Sequence, residues 1–147
     1  MYVDKLIENQ QICCAHVGQT VQEVVEEMVR NEIGAVPVLE GDRLVGIFSE
    51  RDLLTRVVSR RLNPTQTRVE EAMTREVIAA PVHCSVAECL ALIQKFRMRH
   101  LPIVDGHKLK GFISVRDLLN VEIEDKEYQI RVLNEYIHYI PPYSVES

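Results

Sequence analysis

Residues 33–54 read IGAVPVLEGDRLVGIFSERDLL, and residues 99–119 read RHLPIVDGHKLKGFISVRDLL. Both contain an apolar run broken by proline, a glycine turn, a second apolar run, and the closing phrase S-x-RDLL. Shifting the chain by 65 positions lays residues 20–54 on residues 85–119 without a gap. Thr20 then falls on Ser85, Glu23 on Glu88, Pro37 on Pro102, Gly41 on Gly106 and Gly46 on Gly111. Roughly a third of the aligned positions are identical, so the chain writes one folding unit twice.

The unit can be read outward from the phrase. TVQEVVEEMVRNE opens with a capping box, Thr20 to Glu23, and SVAECLALIQKF repeats it with Ser85 and Glu88. Val21, Val24, Val25, Met28 and Val29 fall at helical spacing, as do Val86, Cys89, Leu90, Ile93 and Phe96. A short strand with an internal proline follows each helix, which predicts an edge position or a strand start. A glycine turn then joins it to an antiparallel partner, and a helix opens at RDLL. Short strands precede both helices, ICCA near residue 13 and VIAA at 77–80. One such unit cannot bury its apolar sheet face alone. Two copies facing each other about a pseudo-twofold axis can.

The expected fold is therefore α/β (α+β): two pseudo-symmetric β-α-β-β-α units packed sheet to sheet, plus a C-terminal helix. Unit 1 spans residues 1–62, a linker 63–68, unit 2 residues 69–121, and the C-terminal helix and tail 122–147. Asn63-Pro64 is expected to break the first closing helix, and Val69–Met73 reads as a short helical lead-in to unit 2.

Bulk composition narrows the function. With 46% hydrophobic and 27% charged residues, the chain is of ordinary globular type and can bury roughly two thirds of its unfolded surface. A net charge of −5 without any Lys or Arg run disfavours nucleic acid and anionic membranes. No apolar run is long enough to span a bilayer. The opening MYVDKLIENQ has an early acid and no apolar core, so no secretory signal is expected and cytoplasm is the expected compartment. Cys13, Cys14, Cys84 and Cys89 lack the paired spacing of a zinc site, so no metal is expected and the thiols are read as buried and reduced. No nucleophile–base pair or phosphate-loop lysine motif is present, so neither catalysis nor a catalytic cofactor is expected.

The phrase S-x-x-D has two readings. Ser49 with Asp52, and Ser114 with Asp117, are close to capping boxes at helix starts. The same residues suit a ligand. A helix N-terminus and a Ser hydroxyl can donate to phosphate. An ionised Asp accepts from two vicinal hydroxyls such as a ribose offers. Arg51 and Arg116 stand ready for phosphate, and Gly46 and Gly111 clear space for a close approach.

These two stretches, each ending in G-h-x-S-x-x-D, resemble the CBS (cystathionine-β-synthase) domain as a tandem pair, or Bateman module, over roughly residues 3–121. The lead-in VEEAMTREVIAAP is also similar to the usual start of such a unit, whereas VDKLIENQQICCAH lacks the Met-Thr pair. The resemblance implies a regulatory, energy-sensing module that binds an adenosine-containing ligand as effector between the two units. AMP, ADP or ATP is the first choice, with NAD and S-adenosylmethionine as further candidates. Carried over position by position, Asp52 and Asp117 would hold ribose. Ser49, Arg51, Ser114 and Arg116 would lie at phosphate, with Arg99 and His100 reaching toward it. Ile12, Cys13, Ile78, Ala79, Ala80 and Pro81 are candidates for an adenine slot, and serve equally well as core. The two grips are expected to differ where Gly34-Ala35 stands against Arg99-His100. His100 adds a pH-sensitive group. The alternative is a dimerisation or interaction scaffold with vestigial ligand sites.

From Leu118 the chain runs without Gly or Pro to Pro141-Pro142, which predicts a helix to about residue 139. Ile123, Ile130, Leu133 and Ile137 form an apolar stripe, and Tyr128, Tyr136, Tyr139 and Tyr143 are gathered here. Tyr suits interfaces. The tail is read as docking on its own module, on a dimer mate or on a protein target, and the resemblance implies a homodimer.

Overall fold

The computed structural model describes residues 1–138, with side chains through residue 135. Tyr139, Tyr143 and Pro141-Pro142 lie outside the described residues. In chain order the elements are α1 (Asp4–Ile7), β1 (Ala15–His16), α2 (Val21–Arg30), β2 (Ala35–Glu40) and β3 (Arg43–Ser49). Then come α3 (Glu50–Asp52), which continues as a π-helical segment Leu53–Val58, and α4 (Val69–Ala72). The second half has β4 (Ala80–Pro81), α5 (Val86–Phe96), β5 (His100–Asp105), β6 (Lys108–Ser114) and α6 (Val115–His138). Among the described residues no helix is long and apolar enough to cross a membrane.

The six strands run in the order β1-β2-β3-β6-β5-β4. In each half a two-residue strand pairs parallel with the proline strand, which pairs antiparallel with the next. The halves join at Arg43 opposite Lys108, supported by Leu44 N donating to His107 O at 3.2 Å. The expected pseudo-symmetric units are thus present, down to matching register shifts at Val38/Leu39 and Ile103/Val104, but they join edge to edge through β3 and β6 in one sheet, where packing of sheet on sheet was expected. Gly41 and Gly106 take φ of +63° and +64° in the turns, a conformation that glycine adopts without steric cost.

Proline sits where its missing N–H costs nothing. β2 lies inside the sheet rather than at its edge, but β1 pairs with it only from Val38 onward. Pro37, paired with Ile47 on the other side, therefore faces no ladder partner on its outer flank. Pro102 repeats the arrangement, since β4 joins β5 only at Ile103.

Both long helices start one residue after their predicted caps. Thr20 accepts from Glu23 N, and Ser85 forms a reciprocal box with Glu88. Val21, Val24 and Met28 of α2, and Val86, Cys89 and Ile93 of α5, are buried. Val29 and Phe96, expected on the same stripes, are exposed instead. Val29 lies about 80° round the helix from Val21, off the buried face, whereas Phe96 is the last residue of α5 and lies beyond the packed part of its stripe.

There are two cores, and their membership crosses the chain order. One contains Ala15, Val24, Val38, Phe48 and Val57 together with Val69, Ala72 and Met73 of the second lead-in. The other contains Ala80, Cys89, Leu101, Ile113 and Leu118 together with Val3 and Ile7 of the first. Hydrogen bonds fix both crossings. Val3 N donates to Cys84 O at 2.8 Å and Val86 N to Met1 O at 3.0 Å. Val69 N donates to Gln19 O at 2.8 Å, and Ile47 and Thr74 exchange two bonds of 3.0 and 2.8 Å. Each lead-in therefore completes the opposite unit.

Candidate functional site

The closing phrases cap their helices in both units. Ser49 N donates to Asp52 Oδ2 at 3.0 Å and Asp52 N to Ser49 Oγ at 3.3 Å. Ser114 N donates to Asp117 Oδ2 at 3.2 Å and Asp117 N to Ser114 Oγ at 3.1 Å. Capping is common to both, so the units differ in what remains of each carboxylate.

Asp52 has little left to offer. It is only 5% exposed. Its Oδ2 also accepts from Ser49 Oγ at 3.0 Å, and Oδ1 accepts from Thr74 Oγ1 at 3.0 Å. The Arg56 Nε lies 3.3 Å from Oδ1, and Arg56 Nη1 donates to Met73 O at 3.2 Å. Arg56 sits in the π-helical segment, whose wider turn carries the Ser59 N to Leu54 O bond. A carboxylate holding this many donors is committed to the fold.

Asp117 is exposed, and among the described residues its Oδ1 accepts no hydrogen bond. The repeat explains why. Offset by 65 positions, Val121 stands where Arg56 stands in unit 1, and Asn9 where Thr74 stands. The backbone pairing that Thr74 makes to Ile47 is supplied in the other half by Gln10, whose side-chain amide bonds Phe112 O and N at 2.7 and 3.0 Å. No hydroxyl is delivered to Asp117. The absent Met-Thr pair thus leaves this carboxylate open.

Asp117 faces a cleft of about 660 Å³, within the usual size range of small-molecule sites. Four segments wall it. Gln10–Cys13 leads from α1 to β1, and Asn31–Ala35 leads from α2 to β2. Arg99 and His100 stand at the start of β5, and Phe112 with Ser114–Asp117 joins β6 to α6. Both units contribute. Of the residues expected at a site, Ser114, Arg116, Asp117, Arg99, His100, Ile12 and Cys13 come together here, with Gly34 and Ala35.

The others lie elsewhere. Ser49, Arg51 and Asp52 are not in this cleft, and Arg51 is exposed. Ile78 and Ala79 are half-buried away from it. Ala80 is wholly enclosed in the second core, which removes it as a pocket wall. Pro81 is exposed at the outer strand β4. Asn31, Ile33 and Phe112 also line the cleft without having been singled out in the sequence. Phe112 was readable, since alternation along β6 puts it on the face of Ser114. Asn31 and Ile33 carry no such signal.

His100 stacks on Phe112, with ring centroids 5.2 Å apart and planes 9° from parallel. Burial holds its imidazole below the ordinary value of 6.5. Asp117 and Glu50 pull the other way, and Arg99 reinforces the depression. Across the pseudo-axis, Gly34 corresponds to Arg99 and Glu50 to Val115. Glu50 N donates to Gly34 O at 3.0 Å, and Val115 N to Arg99 O at 2.8 Å. A Cβ at Gly34 would meet the Glu50 carboxyl carbon at 3.2 Å. The open cleft therefore has Arg99 and Val115 where the Asp52 side has Gly34 and the Glu50 carboxylate, while Arg116 and Arg51 are common to the two repeats.

All four thiols are free. Cys84 and Cys89 are buried, while Cys13 and Cys14 are only half-buried. Burial pushes the Cys13 and Cys14 thiols upward, and Cys89 is pushed up to about 12 by burial and by Cys84. Protonated thiols are poor nucleophiles. Among the described residues no three or more His, Cys, Asp or Glu gather as metal ligands would.

Comparison with known proteins agrees with this architecture. Residues 7–59 and 69–124 each match the CBS domain. The CBS domain-containing protein YhcV of Bacillus subtilis is 32% identical over 108 residues, covering 74% of this chain and 76% of YhcV. A solved protein with CBS domains from Burkholderia ambifaria is 36% identical, with a TM-score of 0.77 over 85% of this chain and 96% of that one. CBSX2, solved in complex with AMP, shares the fold at a TM-score of 0.69 and 22% identity, over 80% and 92% of the two chains. Two complete repeats, two crossed lead-ins and these matches place the chain in the CBS domain family, as a tandem pair.

Proposed function

We propose that the protein is a regulatory module that binds one adenosine nucleotide in the Asp117 cleft. The observation that carries this reading is the open Oδ1 of Asp117 in a cleft built by both units, against the saturated Asp52. A ribose would donate its hydroxyls to Asp117. The phosphate would meet Ser114, Arg116 and Arg99, with His100 beside them. The base would lie against Ile12, Cys13 and Ile33. CBSX2 in complex with AMP shows a protein of this fold with such a ligand. A ligand touching both units stabilises the arrangement it fits, and regulation follows from its differential affinity for two states.

Titration calorimetry with AMP, ADP and ATP tests this. The expected result is one nucleotide per chain, and at least about tenfold weaker binding for Asp117→Ala, the scale of a hydrogen bond to a charged group. Asp52→Ala is expected to keep its affinity and instead lose about 1–3 kcal/mol of stability, because Thr74 and Ser49 lose their acceptor. Undiminished affinity in Asp117→Ala, or no adenosine ligand bound at all, would overturn the proposal.

A further inference from the structure

The cleft runs across the pseudo-twofold axis, since Gly34 and Ala35 line it together with their repeat mates Arg99 and His100. Its charge is divided by unit. Among the described residues, Arg99 and Arg116 are the arginines that line it, and both belong to unit 2. Unit 1 brings neither lysine nor arginine to the wall, and its one charged lining residue is Glu32.

A second carboxylate of unit 1 stands beside Glu32. Glu32, Gly34 and Glu50 share a neighbouring groove. Glu50 is held there at both ends. Its N–H donates to Gly34 O at 3.0 Å, and a Cβ on Gly34 would meet its carboxylate oxygens at 3.3 and 3.5 Å. The missing side chain at Gly34 thus lets this carboxylate lie against the cleft wall. Burial holds the His100 imidazole below its ordinary value, and the Glu50 carboxylate is one of the charges that act on it. Among the described residues neither Glu32 nor Glu50 belongs to an ion pair. In the repeat their places are taken by Arg97 and Val115, so neither acid is duplicated and the wall is negative on the unit 1 side alone.

This bears on how many phosphates the cleft accepts. With ribose on Asp117, the first phosphate meets Arg99 and Arg116. A phosphate monoester carries about −1.5 to −2 charges at neutral pH, which two arginines match. Each further phosphate adds negative charge, and unit 1 meets it with carboxylates. At about 4 Å in water one like-charge pair costs about fivefold in affinity. Resting on the nucleotide reading of the Asp117 cleft, we propose that Glu50, with Glu32, is a specificity-determining residue that restricts the cleft to nucleoside monophosphates and turns away di- and triphosphates.

Titration calorimetry of the full chain with AMP and ATP in magnesium-free buffer tests it. The parent chain is expected to bind AMP more tightly than ATP. Glu50→Gln should raise the ATP-to-AMP affinity ratio about fivefold. The double variant Glu32→Gln, Glu50→Gln should raise it further, and the gain should shrink as salt is added. Both side chains are exposed, and glutamine keeps the backbone bond to Gly34. Glu40→Gln removes the same charge at the other end of β2, roughly 16 Å along the strand from Ala35, and should leave the ratio alone. A parent that prefers ATP would overturn the proposal, as would a ratio unmoved by Glu50→Gln or moved equally by Glu40→Gln. Tighter binding of magnesium-loaded ATP to the parent than to Glu50→Gln would also overturn it, because the carboxylate would then be a cation ligand. These outcomes leave the Asp117 cleft standing as a nucleotide site. No binding of either nucleotide, or undiminished affinity in Asp117→Ala, would overturn both readings together.

Discussion

The side-chain amide of Gln10 pairs with the backbone of Phe112 as a neighbouring strand would, donating at 2.7 Å and accepting at 3.0 Å. It is the counterpart of the Thr74–Ile47 backbone pair, and it holds the segment that walls the cleft. Gln10→Ala should cost about 1 kcal/mol in chemical denaturation and weaken nucleotide binding. Gln10→Glu should do no better at neutral pH, because a carboxylate cannot donate to Phe112 O. A glutamate variant as stable as the parent would refute the strand-like role.

His100 should make stability depend on pH with a definite sign. The fold favours its neutral form, so its contribution is whole above pH 6.5 and is lost as pH falls through the depressed folded value. Thermal midpoints between pH 7.5 and 5 should fall less in His100→Gln than in the parent. A bound phosphate would act the opposite way and favour the imidazolium. Nucleotide binding near pH 6.5 should therefore take up more protons in the parent than in His100→Gln. Calorimetry in buffers of different ionisation heat measures this, and equal uptake would remove His100 from the phosphate end.

Gly46 and Gly111 are equivalent in the repeat but should respond differently to alanine. A Cβ at Gly111 meets Ile7, a side chain, whereas one at Gly46 meets Met73 and also the backbone oxygen of Thr74 at 2.8 Å. Both variants should lose about 1–3 kcal/mol. Ile7→Ala should relieve Gly111→Ala in a double-mutant cycle, and Met73→Ala should relieve Gly46→Ala only in part. Full relief at Gly46 would show that the backbone there yields.

Much of this was legible in the sequence because it is local or repeated. Thr20, Ser85, Ser49 and Ser114 mark helix starts through bonds three residues long. Pro37, Gly41 and their repeat mates mark strand and turn. The cleft residues Ser114, Asp117, Arg99 and His100 were readable from one unit alone. What was hidden depends on which piece of chain meets which. Nothing in VDKLIENQQICCAH says that Ile7 belongs beneath Gly111. The difference between Asp52 and Asp117 follows from that same exchange. Thr74 and Asp52 are 22 residues apart and touch only because the lead-ins cross. Arg56 joins them through a π turn, which has no sequence signature.

The crossed lead-ins also set an order of assembly during synthesis. The first unit lacks Val69, Ala72 and Met73 until the chain has passed residue 74. Met1 to Ile7, made earlier than their partners, must wait for Cys84, Val86 and Ile113 before they have a place to bind. A fragment cut between residues 63 and 68 would strip each half of its closing piece and leave Phe48 and Leu101 beside open gaps. The two halves are thus copies of one unit that cannot be separated into two independent proteins.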